Sequence, residues 1–132
     1  MKQIAITLRG LQLFAHNAHN LAKGKTFLED HEFLGELYGA YESAYDDVVE
    51  RMIGLGGDQD LNAITTEACD MATSAKFSDN EQAFNVLLVT EKELCDEIKK
   101  EMGKQSTGTQ NLLQGIADNS EMRQYKLKRR LK

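Results

Sequence analysis

The segment LEDHEFLGELYGAYESAYDDVVERMIGL, residues 28–55, decides the fold. Its apolar and aromatic positions Leu34, Tyr38, Tyr41, Tyr45, Val48, Met52 and Leu55 are spaced alternately four and three apart. That repeat describes one buried stripe on an amphipathic helix of roughly seven turns. Chemistry-bearing residues flank the stripe. His31 lies near one end, and Asp46 and Glu50, one turn apart on the same side, lie near the other. Between them Gly35, Gly39 and Ser43, again four apart, thin the helix enough for a second backbone to approach.

The distance along this helix matters. Fifteen residues separate His31 from Asp46, which is about 22 Å at ~1.5 Å per residue, too far for both to hold one cation. Two copies solve the problem. If the helix meets a copy of itself antiparallel, crossing near Gly39 and Ala40, His31 of one chain approaches Asp46 and Glu50 of the other. A twofold interface repeats every contact, so two sites form per dimer. The competing reading of the same residues is a solvated helix face.

The rest of the chain is read outward from this helix. With 132 residues there is enough chain for one domain, 1–132, and one core. There is no proline, which favours long uninterrupted helices. N-terminal to the central segment, Ile4, Leu8, Leu11, Ala15, Ala18 and Ala22 mark a helix over about Gln3–Ala22, stopped at Gly24. His16 and His19 sit one turn apart on its flank; a lone histidine on a helix is more often structural than a ligand. The short link from Gly24 to Phe27 returns the chain antiparallel. The central helix stops at the Gly54-Leu55-Gly56-Gly57 cluster. Asp58–Phe77 is too long for a plain loop. Leu61, Ile64, Ala68 and Met71 place a short helix inside this crossover.

Ser78-Asp79-Asn80-Glu81 then fits a capping box with Glu81 reaching back. The helix it opens carries Phe84, Leu87, Leu88, Glu91, Leu94, Cys95, Ile98 and Met102 to about Gly103. A last helix begins near Thr107 and turns Leu112, Leu113, Ile116 and Met122 inward, with Tyr125 and Leu127 extending it into the basic end. The expectation is an all-α, up-down-down-up four-helix bundle with a short helix in its crossover.

Charge and cysteine usage narrow the function. The chain carries a net −5, yet Ser120–Lys132 is +5, so the body before it is −10. An acidic body attracts cations. The basic end (Lys126, Lys128, Arg129, Arg130, Lys132) suits phosphate or an acidic partner, or simply complements a helix C-terminus. Cys69 and Cys95 have no metal-site spacing and read as reduced thiols, which points to an intracellular, cytoplasmic setting. No apolar run nears the length of a membrane span, and the start lacks a signal-peptide core. The Glu-x-x-His pairs of single-chain di-iron bundles are absent, as is a glycine-rich phosphate loop.

Three stretches carry a more specific likeness: HNLAKGKTFLEDHEFL (19–34), with His19 and His31 twelve apart around Gly24 and Phe27; DDVVERMIGLGG (46–57); and GTQNLL (108–113). Together they resemble the Dps family of ferritin-like mini-ferritins. The resemblance implies a dodecameric, iron-storing shell with ferrous iron oxidised at twofold inter-subunit sites. It assigns His19 and His31 of one subunit and Asp46 and Glu50 of its neighbour as iron ligands, catalytic in ferroxidation. The chain departs from the pattern. Gly35 stands where the family has a metal-binding aspartate, and Asn20 where it commonly has tryptophan. Residues 105–109 lack the family's acidic pore residues, and the start lacks its lysine-rich arm. His16 is a candidate substitute ligand. A second function fits those departures: a structural or DNA-coating assembly without catalysis, working through its basic C-terminal end.

Overall fold

The computed structural model describes residues 1–132 and contains five helices: α1 (Lys2–Leu21), α2 (Phe27–Gly56), α3 (Leu61–Ser74), α4 (Asn80–Met102) and α5 (Thr107–Arg130). Helices α1, α2, α4 and α5 form the bundle, and α3 crosses it as the short element of the long connection, packed on α1. Pairings at the helix ends fix the directions. Lys23, just past α1, meets Asn80 at the start of α4, whereas Thr7 near the start of α1 meets Glu97 near the end of α4. Arg51 near the end of α2 meets Thr109 at the start of α5, and Arg130 at the end of α5 meets Asp30 at the start of α2. The order is up-down-down-up, as the helix lengths and connections predict.

Each boundary has a local cause. Gly24 (φ +93°) and Gly57 (φ +85°) adopt backbone geometry that side chains with a Cβ resist, and they end the turns after α1 and α2. Asp60 caps α3 through the Ala63 amide, Asp79 caps α4 through Gln82, and Ser106 caps α5 through Thr109. The box at α4 is displaced by one residue from the expected one, with Asp79 as the cap. Gln82, not Glu81, reaches back, its Oε1 accepting from the Ser78 amide at 2.8 Å. Glu81 points instead toward Arg130, 3.7 Å away.

The core follows the stripes with two corrections. Every residue of the α1 stripe from Ile4 to Ala22 is buried, and so are Leu34, Tyr41, Tyr45, Val48 and Met52 of α2. Leu55 is 59% exposed. At 30 residues α2 outruns the 20-residue α1, so its last turn lacks a neighbour on that side. Met122 is also exposed, and the inward positions of α5 fall at Leu113, Ile116, Ser120, Gln124 and Leu127. Polar groups take the middle of that stripe because α4 presents Glu91 there. Fully buried, Glu91 receives three hydrogen bonds of 3.0–3.2 Å from the Arg123 guanidinium. The guanidinium also lies 4.9 Å over the Tyr41 ring. On α1, Gly10 makes room for α3, since a Cβ there would lie 2.5 Å from Met71 Cε.

Candidate metal centre

His19 is in the last turn of α1 and His31 in the second turn of α2, so the short link folds them against each other. Their rings stack with centroids 3.7 Å apart. The hydrogen bonds are reciprocal. His19 Nδ1 lies 2.7 Å from the His31 carbonyl oxygen, and His31 Nδ1 lies 2.9 Å from the His19 carbonyl oxygen. A carbonyl only accepts, so each Nδ1 must carry its proton and donate it. In the neutral ring this leaves each Nε2 as a lone pair, the form in which imidazole binds a metal. Metal-ligating histidines are commonly fixed through the other ring nitrogen in this way.

Gly35 belongs to this arrangement. A Cβ there would lie 3.2 Å from His19 Cε1 and 3.3 Å from its Nδ1. The missing side chain is therefore the room in which the His19 ring reaches the His31 carbonyl. Phe27 flanks the stack at 5.0 Å from the His31 ring, and Tyr38 closes the other side, edge-on to His19. His16 is exposed and stacks on Tyr38 at 4.1 Å. Its ring centroid is 6.2 Å from that of His19.

Asp46 and Glu50 are exposed on the far half of α2. Glu50 lines an open hollow with Asp47, Arg51, Gly54, Leu55 and Leu112. A single chain does not bring the four candidate ligands together, and it gathers no cluster of three or more metal-binding side chains. The imidazole pair, shared between the end of α1 and the start of α2, and the carboxylate pair on the far half of α2 are separate within one chain.

Beneath the histidines is a polar network. Asp30 is buried and accepts from four donors. Arg130 Nε and Nη2 are both at 2.9 Å, Thr26 Oγ1 at 2.7 Å and Asn80 Nδ2 at 2.9 Å. Burial alone would raise the Asp30 carboxyl, but the hydrogen bonds from Arg130, Thr26 and Asn80 outweigh it and hold it below its ordinary value. The same pairing raises Arg130. Of the five residues considered for nucleic acid, Lys126, Lys128, Arg129 and Lys132 are exposed, whereas Arg130 is committed to Asp30. Sequence reasoning missed Asp30 and Asn80. The signal at Asp30 was available: it stands four residues before Leu34, at the continuation of the buried stripe, where a carboxylate requires a partner.

The model of the ferritin-like domain matches residues 2–132. The chain belongs to the ferritin-like family. It is also similar to general stress protein 20U of Bacillus subtilis, at 30% identity over 122 residues, covering 86% of this chain and 81% of that protein. For a ferritin-like chain, a bare imidazole pair and a carboxylate pair are a fitting donor set for ferrous iron. No helix is long and apolar enough to cross a membrane, and Cys69 and Cys95 are free thiols.

Proposed function

We propose that this ferritin-like protein is a Dps-type iron-handling shell. It oxidises ferrous iron at sites shared between two subunits and stores the ferric product. His19 and His31 of one subunit and Asp46 and Glu50 of its neighbour bind the iron, with Glu50 placed to bridge if two ions enter. The observation that carries this reading is the reciprocal histidine pair, which leaves two bare Nε2 atoms with no carboxylate from their own chain to complete a metal shell. The exposed face of α2 supports the antiparallel partner. Gly39 has open space where a Cβ would be, and Gly35, Gly39 and Ser43 lie between Leu28 and Ile53, which are 73% and 37% exposed. An antiparallel crossing near Gly39 and Ala40 lays Leu28 of one chain close to Ile53 of the other. It also brings imidazoles to carboxylates.

The chemistry needs little else from the protein. Iron is the substrate: two ferrous ions reduce one hydrogen peroxide with two protons to two waters, or four reduce one dioxygen with four protons to two waters. The imidazoles bind neutral and keep the site from repelling a divalent ion. The carboxylates offset the charge gained on oxidation. With Gly35 in place of a carboxylate, the second ion in each site has fewer anionic ligands and is held more weakly.

The test is subunit complementation. His31→Ala and Glu50→Ala should each assemble normally and lose aerobic ferrous oxidation. Refolded together in equal amounts, half the dimers are mixed and each regains one of its two sites, so about a quarter of the activity should return. Unchanged oxidation in the single variants removes these residues from the reaction. Inactive variants that fail to complement show that the sites are not shared.

One observation favours a second activity. Lys126, Lys128, Arg129 and Lys132 are exposed on the end of α5, and many copies on one particle would bind DNA through summed weak contacts. Charge removal at these four should abolish a salt-sensitive gel shift. No shift with the unaltered protein at low salt ends this reading.

A further inference from the structure

The His19 carbonyl accepts from His31 where the chain has already left the helix and no backbone amide points at it. In a continuing helix, the Lys23 amide would bond back to the His19 carbonyl, four residues earlier. Here α1 ends at Leu21, and the Lys23 amide donates instead to Asn80 Oδ1 at 3.1 Å. The His19 carbonyl, one of the orphans at a helix end, is left for His31 Nδ1.

Asn80 is itself held in one orientation. Its Nδ2 donates to the Lys23 carbonyl at 2.8 Å and to Asp30 Oδ2 at 2.9 Å. Both are acceptors, so the amide cannot be flipped without setting oxygen against oxygen. Asp30 is fixed in turn by Arg130 and Thr26, and the Arg130 guanidinium rests 5.2 Å over the Phe84 ring. The chain of contacts thus runs from the end of α5, through the start of α2 and the first residue of α4, to the end of α1.

We infer that the Asn80–Asp30–Arg130 clasp is a positioning device for the metal centre. By holding both the amide and the carbonyl of Lys23 it sets the turn that leaves the His19 carbonyl facing His31 Nδ1, and so favours His31 as the Nδ1–H tautomer with Nε2 free. None of the three touches the cation. The link from tautomer to binding rests on the proposed iron site; the tautomer itself does not. Free histidine side chains favour the opposite tautomer, with the proton on Nε2, where it blocks binding through that nitrogen. Releasing the clasp therefore works against the site without removing a ligand. Outer-shell partners of metal-ligating histidines typically carry 10–100-fold in affinity.

The experiment uses the full chain in its native assembly. Long-range ¹H–¹⁵N correlation of the imidazoles is recorded on metal-free protein, followed by titration with Co²⁺, an air-stable, coloured substitute for ferrous iron. The unaltered protein should show His19 and His31 as Nδ1–H. Asn80→Ala should move His31 toward Nε2–H and weaken Co²⁺ binding about tenfold. Arg130→Gln, which leaves Asn80 in place and frees Asp30, should move both readouts the same way by less. It decides the matter if Asn80→Ala does not fold. Ile98→Val, a core truncation elsewhere in α4, should move neither. Unmoved tautomers in the folded clasp variants overturn the inference whatever the affinity does. A tautomer shift with unchanged Co²⁺ affinity overturns the link to binding. If the unaltered protein binds no Co²⁺, the iron reading fails, and the imidazole spectra alone still decide the role of the clasp.

Discussion

Replacing Arg123 by methionine should produce a stability loss that vanishes in acid. The Glu91 side chain has 0% exposure and Arg123 only 12%, so this ion pair has left water almost completely. Burial pushes the Glu91 carboxyl above its ordinary value, and the Arg123 charge and hydrogen bonds pull it back only in part. Removing the guanidinium takes away all three of its hydrogen bonds and the only opposing charge. Breaking one side of a buried pair costs about 3–5 kcal/mol, because the remaining charge is uncompensated. At ~3 °C per kcal/mol for a chain of this size, that is a fall of roughly 10–15 °C in Tm near pH 7.5. The sign with pH follows from the raised carboxyl. A group that holds its proton more tightly when folded stabilises below its unfolded value, near 4.5, and loses that contribution as pH rises through its folded value. In Arg123→Met the folded value rises further. The variant should therefore approach the parent below pH 4.5 and fall away above it. Melts followed by circular dichroism at fixed protein concentration, from pH 4 to 8, measure this. A second substitution, Glu91→Gln, should recover most of the loss at neutral pH. It removes the charge and offers an amide to the Tyr41 hydroxyl, which is buried without a hydrogen-bond partner. A deficit under about 1 kcal/mol, or one independent of pH, refutes the argument, because a surface pair would behave that way.

Three shorter predictions follow the same physics. Gly35→Ala gains about 1 kcal/mol of helix propensity but sets a Cβ 3.2 Å from the His19 ring, so Tm should hold or rise while Co²⁺ affinity falls severalfold. Equal affinity would show that the ring has room to move. Asp30→Asn should cost about 1–3 kcal/mol at pH 7. Because the Asp30 carboxyl is lowered in the fold, its contribution is present above the unfolded value of 3.8 and lost as pH falls through the folded one, so parent and variant should converge in acid melts. Gly24→Ala, at φ +93°, should cost about 1–2 kcal/mol by denaturant titration, whereas Gly39→Ala, with open space and a helical backbone, should not destabilise the isolated fold.

Much of the fold was legible because helical periodicity is a local signal. Four-three spacing over residues 34–52 gave a stripe that is buried in the structure apart from the half-buried Tyr38, and the order of long and short connections gave the helix directions. The two exposed residues, Leu55 and Met122, fail for reasons no window of sequence contains. Leu55 lies where α2 runs past the shorter α1. At Met122 the inward turn was ceded to Ser120 and Gln124, because α4 places Glu91 opposite them. Periodicity ranks faces by hydrophobicity, so it misassigns a face whose burial is paid in ion pairs. Glu91 was the clue: a carboxylate inside an otherwise apolar stripe asks which cation will meet it, and the structure answers with Arg123 of α5.

The candidate site divides along the same line. Residue type and spacing nominate His31, Asp46 and Glu50, and the resemblance to the Dps family adds His19. Which nitrogen of an imidazole can bind a metal depends on which one holds the proton, and for His31 that is set by a carbonyl at the end of another helix. Asn80 controls that carbonyl from a distance of 57 residues in the chain. The basic terminus shows the converse. Six cations after residue 120 read alike in sequence, yet Arg123 neutralises the core, Arg130 holds Asp30, and Lys126, Lys128, Arg129 and Lys132 face solvent. A charge becomes structural when it meets an opposite charge that cannot reach water. Any polyanion that binds this end therefore competes for the four exposed cations, while Arg130 stays with the buried Asp30 beneath the histidine pair.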